Sequence, residues 1–177
     1  MNLDDLTLIH FADRRMLQKP PEFNFEHDGD KAESLKQAVY KKMIDLGGAG
    51  LSANQLGLPY RMFVMGNAEE CKALFNPQVV GVSKNTVAME EGCISFPGFA
   101  LVLQRPEHVV MQFQDETGET HTGTFYGISA RIVLHEYDHM EGINFTYHAS
   151  NFKLRWELEK LKKKHKKMQR RVQNVRR

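Results

Sequence analysis

Leu134-His135-Glu136-Tyr137-Asp138-His139-Met140-Glu141-Gly142 is the stretch around which the chain is organised. On a helix, residues four apart lie one above the other, so His135 and His139 aim two imidazoles at one point. Glu136, about 100 degrees further round, is placed to act as a general base toward an attacking water. His-Glu-x-x-His also arises by chance on solvated helices, and its neighbours give it weight. Ile128 and Ile132 continue the stripe of the two histidines, which predicts an apolar face turned inward. Two buried histidines in register need a partner, and a shared cation is the simplest.

Working upstream, alternating and β-branched runs predict strands at Arg61–Met65, Ala73–Val80, Thr86–Met89, Ala100–Gln104, Val109–Gln114 and Thr120–Phe125, with a turn at Glu116-Thr117-Gly118. Pro77 assigns the second of these to a sheet edge or a bulge. Together the runs read as an antiparallel meander leading into a helix over Gly127–Met140 that Gly142 ends. A further helix starts at Asp30, with Glu33 completing a capping box, carries Ala32, Leu35, Val39, Met43 and Leu46 on one face, and stops at Gly47. Residues 1–29, with Leu8-Ile9-His10-Phe11 as a possible short strand, read as an arm wrapped on the domain.

Between these elements lies Gly47-Gly48-Ala49-Gly50-Leu51-Ser52-Ala53-Asn54-Gln55. It lacks both the Gly-Lys-Ser/Thr ending of a phosphate loop and dinucleotide-binding spacing, which argues against nucleotide chemistry. Small residues there let the backbone run close to a ligand, and Gln55 offers a neutral amide donor.

At 177 residues, with 41% hydrophobic and 26% charged residues, the chain fits one globular domain. No apolar run approaches the roughly 20 residues that span a bilayer, and Met1-Asn2-Leu3-Asp4-Asp5 resembles neither a secretion signal nor a transit peptide. A cytoplasmic protein is expected. Cys71 and Cys93 are too few for a disulfide framework, and a reducing compartment leaves both as thiols. Charge is divided: residues 153–177 hold twelve Lys/Arg against two acids, a net +10, leaving residues 1–152 at −8. Leu154, Leu158, Leu161, His165, Met168, Val172 and Val175 recur in this tail at four-three spacing, an amphipathic helix whose stripe weakens beyond Leu161.

A catalytic site of this kind needs three protein ligands and an open position. His135 and His139 are two of them. Phe145 stands where a longer histidine-helix pattern has its third ligand and cannot ligate; Glu157 and Glu159 have plausible spacing but sit on the basic helix. Cys93, a soft ligand in a loop between Gly92 and Gly98, is the better candidate.

Gly48-Ala49-Gly50-Leu51-Ser52-Ala53-Asn54-Gln55, Glu91-Gly92-Cys93-Ile94-Ser95 and His135-Glu136-Tyr137-Asp138-His139, in this order over residues 48–142, resemble the three signature motifs of the peptide deformylases. The resemblance implies an α+β fold: antiparallel strands packed around a central helix carrying the metal-binding histidines, with a basic C-terminal helix. It divides the chain into a catalytic domain, 1–150, and a tail, 151–177. It further implies that Cys93, His135 and His139 bind Fe(II), replaceable by Zn, Ni or Co, and that formyl is hydrolysed from N-formylmethionine of new polypeptides. Glu136 would be the base, with the Gln55 side chain and the Ile94 backbone N–H stabilising charge on the formyl oxygen. Ala49, Gly50, Gly92, Ile128 and Ile132, with Ile94 and His135, would line the methionine pocket, Ile128 and Ile132 being equally readable as core. Arg105 would pair with Glu91 and brace the Cys93 loop, while Asp138 reads as a capping acid, a support for the histidines or a salt-bridge partner.

The chain departs from the family pattern at Ala49, where Val or Ile is usual, and at Ser52, where Ala is common, changes expected to loosen the pocket wall. Leu134 replaces a frequent Gln, and Ala12-Asp13-Arg14-Arg15 resembles the usual start only faintly. The implied partners are formylated nascent chains and, through the basic tail, the ribosome, with the protein a monomer. Deleting residues 160–177 is expected to spare peptide cleavage. The competing readings are an endopeptidase using His135, Glu136 and His139, and a basic RNA- or ribosome-binding protein with a residual metal site.

Overall fold

A computed structural model describes residues 3–11 and 13–175. Among them β1 (Gly50–Ser52), β2 (Met62–Gly66), β3 (Cys71–Val82), β6 (His108–Gln114) and β7 (Thr120–Tyr126) form a five-stranded antiparallel sheet in the order β1-β2-β3-β6-β7. β4 (Thr86–Gly92) and β5 (Ala100–Pro106) pair separately as a hairpin. The helices are α1 (Phe25–Asp28), α2 (Ala32–Asp45), α3 (Gly127–Met140) and α4 (Asn151–Val175). The architecture is the expected α+β arrangement with a C-terminal helix.

β2 explains the layering. Its side chains alternate between faces, and both faces are covered, so it reads as an unbroken apolar run. Met62 and Val64 pack with Leu35, Val39 and Met43 of α2, whereas Phe63 packs with Ala130, Val133, Leu134 and Met140 of α3. Leu134, one of the departures from the family pattern, is thus a core residue. A third cluster, Cys93, Phe99, Leu101, Leu103 and Phe145, lies at the β4–β5 hairpin, and Leu154 and Leu161 of α4 pack against it. α3 is therefore held between the large sheet and the hairpin.

Several local expectations are corrected. The meander is split into two sheets, because β3 pairs with β6 and the hairpin is excluded between them. Pro77 is not at an edge: β3 is the middle strand, and the register shift between Phe75 and Gln78 is the bulge that accommodates it. Asn76 beside it takes φ +48, with its side chain bonded to Phe23 N and O and to Gln114. α2 does not start at a capping box of Asp30 and Glu33. Asn24 caps α1 through Glu26 N and His27 N, a 3-10 turn at Gly29–Lys31 follows, and Lys31 precedes α2 without a side-chain cap. Leu8–Phe11 is not a strand; Ile9 N donates to Gln55 O at 2.8 Å, tying the arm to the segment after β1. Ala12 lies outside the described residues, as do the side chains of His165, Met168, Val172 and Val175 in the tail stripe.

Candidate metal centre

α3 spans the predicted Gly127–Met140, and of the predicted stripe only His135 and His139 are buried. Ala130, Val133, Leu134 and Met140 meet the core, while Ile128 is 64% exposed and Ile132 is half-buried. Ile128 and Ile132 instead wall a cleft of about 300 Å³ that also receives Ala49, Gly50, Gln55, Glu91, Gly92, Cys93, Ile94, Arg131, His135 and Glu136. His139 is fully buried behind it.

The ligand atoms of Cys93, His135 and His139 all lie within 4.8 Å of one another. Cys93 Sγ is 3.5 Å from His139 Nε2. Bonds of about 2.3 Å to sulfur and 2.0–2.1 Å to nitrogen at a tetrahedral angle would span about 3.5 Å. His135 Nδ1 is 2.7 Å from Glu91 Oε1. A carboxylate only accepts, so Nδ1 carries a proton, and Nε2 is the nitrogen left to face the other two ligands, where a cation would take the place of its proton. A thiolate with two imidazoles suits a borderline-soft divalent ion, and the three residues fit one. Glu157 and Glu159 are occupied elsewhere, with Lys160 and Lys162, and Phe145 packs beside the His135 ring at 5.8 Å.

Burial shapes the charges. It raises the Glu136 carboxyl to about 7, against the pull of His135, and Glu136 Oε2 has no hydrogen-bond partner among the described residues. Burial works against charge on His135, but bonds to Cys93 and Glu91 outweigh it and lift that imidazole to about 10. His139 is pushed well below the usual range, first by burial and then by His135. The two imidazoles thus resist being charged together. Glu91 is held at about 2, the bonds from His135 and Arg105 overcoming its burial.

Gln55 is fixed from both ends of its amide. Oε1 accepts from Ser52 N (3.1 Å) and Ser52 Oγ (2.8 Å), while Nε2 is 3.1 Å from Ser95 Oγ and 3.4 Å from Cys93 Sγ. Ser52 is fully buried and does not line the cleft, so the expected loosening of the wall at this position does not occur; its hydroxyl orients Gln55 instead. Gly50 sits where a Cβ would lie 2.7 Å from Glu136 Oε1 and 2.8 Å from Ile132 Cγ2, so a side chain there would displace the carboxylate.

Arg105 forks onto Glu91 through Nη2 (2.6 Å) and Nε (3.1 Å) and reaches Asp138 through Nη1 (2.8 Å), which makes Asp138 a salt-bridge partner. Three participants escaped the sequence reading. His148 Nε2 is 2.9 Å from Asp138 Oδ2 and 3.0 Å from Arg105 Nη1; Asn54 Nδ2 donates to His139 O at 2.8 Å; Arg131 Nη1 bonds Glu91 Oε2 at 3.1 Å. Asn54 sits in the glycine-rich motif and Arg131 one turn before His135, which are the only signals they carry.

A polypeptide deformylase family profile matches residues 7–155. The chain belongs to the peptide deformylase family. It is similar to a peptide deformylase of Christiangramia forsetii, 34% identical over 173 residues, covering 88% of this chain and 87% of that one. A second relative is the chloroplastic/mitochondrial peptide deformylase 1B of Arabidopsis thaliana, 36% identical over 144 residues, covering 77% of this chain and 53% of that protein. Among solved structures, a probable peptide deformylase from Synechococcus phage S-SSM7 superposes with a TM-score of 0.78 at 30% identity, over 82% of this chain and all of that one. The Synechococcus elongatus enzyme, crystallised with actinonin, gives 0.81 at 27% identity, over 89% and 86%. Membership makes the chain a metal-dependent hydrolase of the deformylase type. No helix among the described residues is long and apolar enough to cross a membrane.

Proposed function

We propose that the chain hydrolyses the formyl group from N-formylmethionine at the start of new polypeptides, with Cys93, His135 and His139 holding one divalent ion. The observation that carries this reading is the convergence of that sulfur and two imidazoles beside a buried carboxylate with an unpartnered oxygen, at the foot of a peptide-sized cleft. Such an ion, Fe(II) with Zn, Ni or Co as alternatives, supplies Lewis acidity toward water and the formyl oxygen.

The chain's residues supply the rest. Glu136, poised at about 7, takes a proton from the attacking water and returns one to the departing amine. Gln55, turned by Ser52 so that Nε2 faces the Cys93 sulfur, and the Ile94 N–H donate to the formyl oxygen as charge builds there. β1 ends the large sheet, and its outer edge at Gly50 pairs with the extended backbone of the substrate, beside Ala49 in the cleft wall. Gly92, Ile128 and Ile132 border the methionine side chain.

Residues 1–150 act as the catalytic domain and 151–177 as a basic appendage that meets the ribosome; the protein works as a cytoplasmic monomer. Supporting the tail's role, exposed Arg155, Lys163, Lys166 and Lys167 are carried on a helix with exposed Phe152 and Trp156, a surface suited to phosphates and unstacked bases. The test of the function is anaerobic purification with metal analysis, followed by assay on a formylated tripeptide beside internal, unformylated peptides. Deformylation of the first with the second untouched is expected; cleavage of internal peptide bonds would replace the reading with an endopeptidase.

A further inference from the structure

One buried charge has no part in the chemistry above. Arg131 is 5% exposed and sits on α3 one turn before His135. Nη1 donates to Glu91 Oε2 at 3.1 Å and to the Leu103 carbonyl of β5 at 3.0 Å, and Nη2 donates to the Val87 carbonyl of β4 at 2.7 Å. Glu91 thereby accepts four bonds: Arg105 Nη2 and His135 Nδ1 at Oε1, Arg105 Nε and Arg131 Nη1 at Oε2. A carboxylate has about four lone-pair directions, so none is left for rearrangement.

We propose that Arg131 is a positioning residue for the metal centre, stapling the hairpin that delivers Cys93 to the helix that bears His135 and His139. The reading rests on those three residues being the ligands. β4 ends at Gly92, immediately before Cys93, and β5 returns from the same loop. The sulfur's distance from the imidazoles therefore depends on how the hairpin is seated against α3. Beside the Glu91–His135 bond, two polar anchors seat it: Arg105 reaches Asp138 from β5, and Arg131 reaches both strands from α3. Arg131 and Asp138 are seven residues apart, about 10 Å along the axis, with His135 between them. Contacts at His135 and Asp138 alone hold only the C-terminal half of the helix; the anchor at Arg131 sets its inclination.

Arg131 also sets the plane of Glu91. Without Arg131, Oε2 keeps only the Arg105 Nε bond, so the carboxylate follows the Arg105 fork on β5 with no tie from Oε2 to α3, and His135 has a less closely fixed partner to turn Nε2 toward the cation. An arginine that bonds two strand carbonyls and a carboxylate also stabilises the fold, so the experiment has to separate position from stability.

Arg131→Met, Arg131→Lys and, as a control, Val39→Ala in the core on the far side of the sheet are compared with the parent chain. Zinc affinity is measured by competition with a chromogenic chelator, the thiolate-to-metal absorption band is recorded after cobalt loading, and thermal midpoints are taken in parallel. Arg131→Met is expected to bind zinc about 10- to 100-fold more weakly and to shift the cobalt band. Val39→Ala is expected to lower the midpoint with neither change. Arg131→Lys keeps the charge but cannot span three acceptors, and is expected to lose at least about 5-fold in zinc affinity. If Arg131→Met does not accumulate folded, Arg131→Lys decides. Zinc affinity within twofold of the parent and an unmoved cobalt band in the folded variant overturn the proposal. A parent chain that binds no zinc would instead overturn the ligand assignment beneath it.

Discussion

Glu91 Oε1 lies 2.7 Å from His135 Nδ1, and through that contact a strand residue sets the tautomer of a residue 44 positions away. The same carboxylate carries the Arg105 fork, so removing it leaves two guanidinium groups competing for fewer acceptors in a buried site. Glu91→Ala should cost about 3 kcal/mol or more in urea unfolding. A double-mutant cycle of Glu91→Gln with Arg105→Met should return a coupling of about 1 to 3 kcal/mol. A coupling of zero would remove the brace assigned to this pair.

Glu136→Ala should bind the metal as the parent does and lose nearly all deformylation, because the three proposed ligands remain while the proposed proton acceptor is gone. Metal content and turnover of a formylated tripeptide are measured on the same sample. Retained turnover in the loaded variant would take the base role from Glu136.

Gly50→Ala probes the close approach of β1 to α3. The new methyl would meet Glu136 Oε1 at 2.7 Å and Ile132 Cγ2 at 2.8 Å, so both side chains have to shift to admit it. A displaced base of this kind lowers kcat by about 10- to 100-fold with little change in thermal midpoint. Unchanged kcat would mean that the carboxylate tolerates a shift.

Asp115 gives the pH dependence. Burial works against its charge, yet bonds from Thr117 Oγ1 and N, Glu119 N and His121 hold it at about 2, below the ordinary 3.8. A depressed carboxyl contributes stability that is complete above the unfolded value and is lost as pH falls through the folded one. The urea midpoint should therefore fall between about pH 3.8 and about pH 2, and the fall should be shallower in Asp115→Asn. Identical slopes in the two proteins would assign the acid loss to other groups.

Truncation of the tail has to respect Leu161, which packs against the Cys93 cluster. Deletion of residues 160–177, expected from the sequence to spare catalysis, would remove that contact. Deletion of 163–177 should leave tripeptide cleavage within about twofold and weaken ribosome binding more at low salt than at high salt. Equal affinity of truncated and full chains at both salts would end the proposed docking role.

How far the chain could be read in advance varied by element. α3 was legible to its ends because a 3.6-residue period, Gly127 and Gly142 are local signals. β1 was not, because three residues in a glycine-rich turn carry no alternation, and they become a strand only by pairing with Phe63, Val64 and Met65. Ile128 and Ile132 could be read equally as core or as pocket wall because they are as apolar as core residues, and only the position of the cleft decides that they face it. Arg131 looked like any charged residue on a helix, and Ser52 like a small residue in a turn.

By itself the sequence determined that His135 and His139 share one side of a helix with Glu136 beside it: helical spacing alone brings them there, whatever the helix packs against. Tertiary structure decided where Cys93 meets them, which amide face of Gln55 is offered, and which charges hold Glu91. Those relationships join residues 14 to 46 positions apart, and no local period encodes a distance that depends on how a hairpin, a sheet edge and a helix pack together.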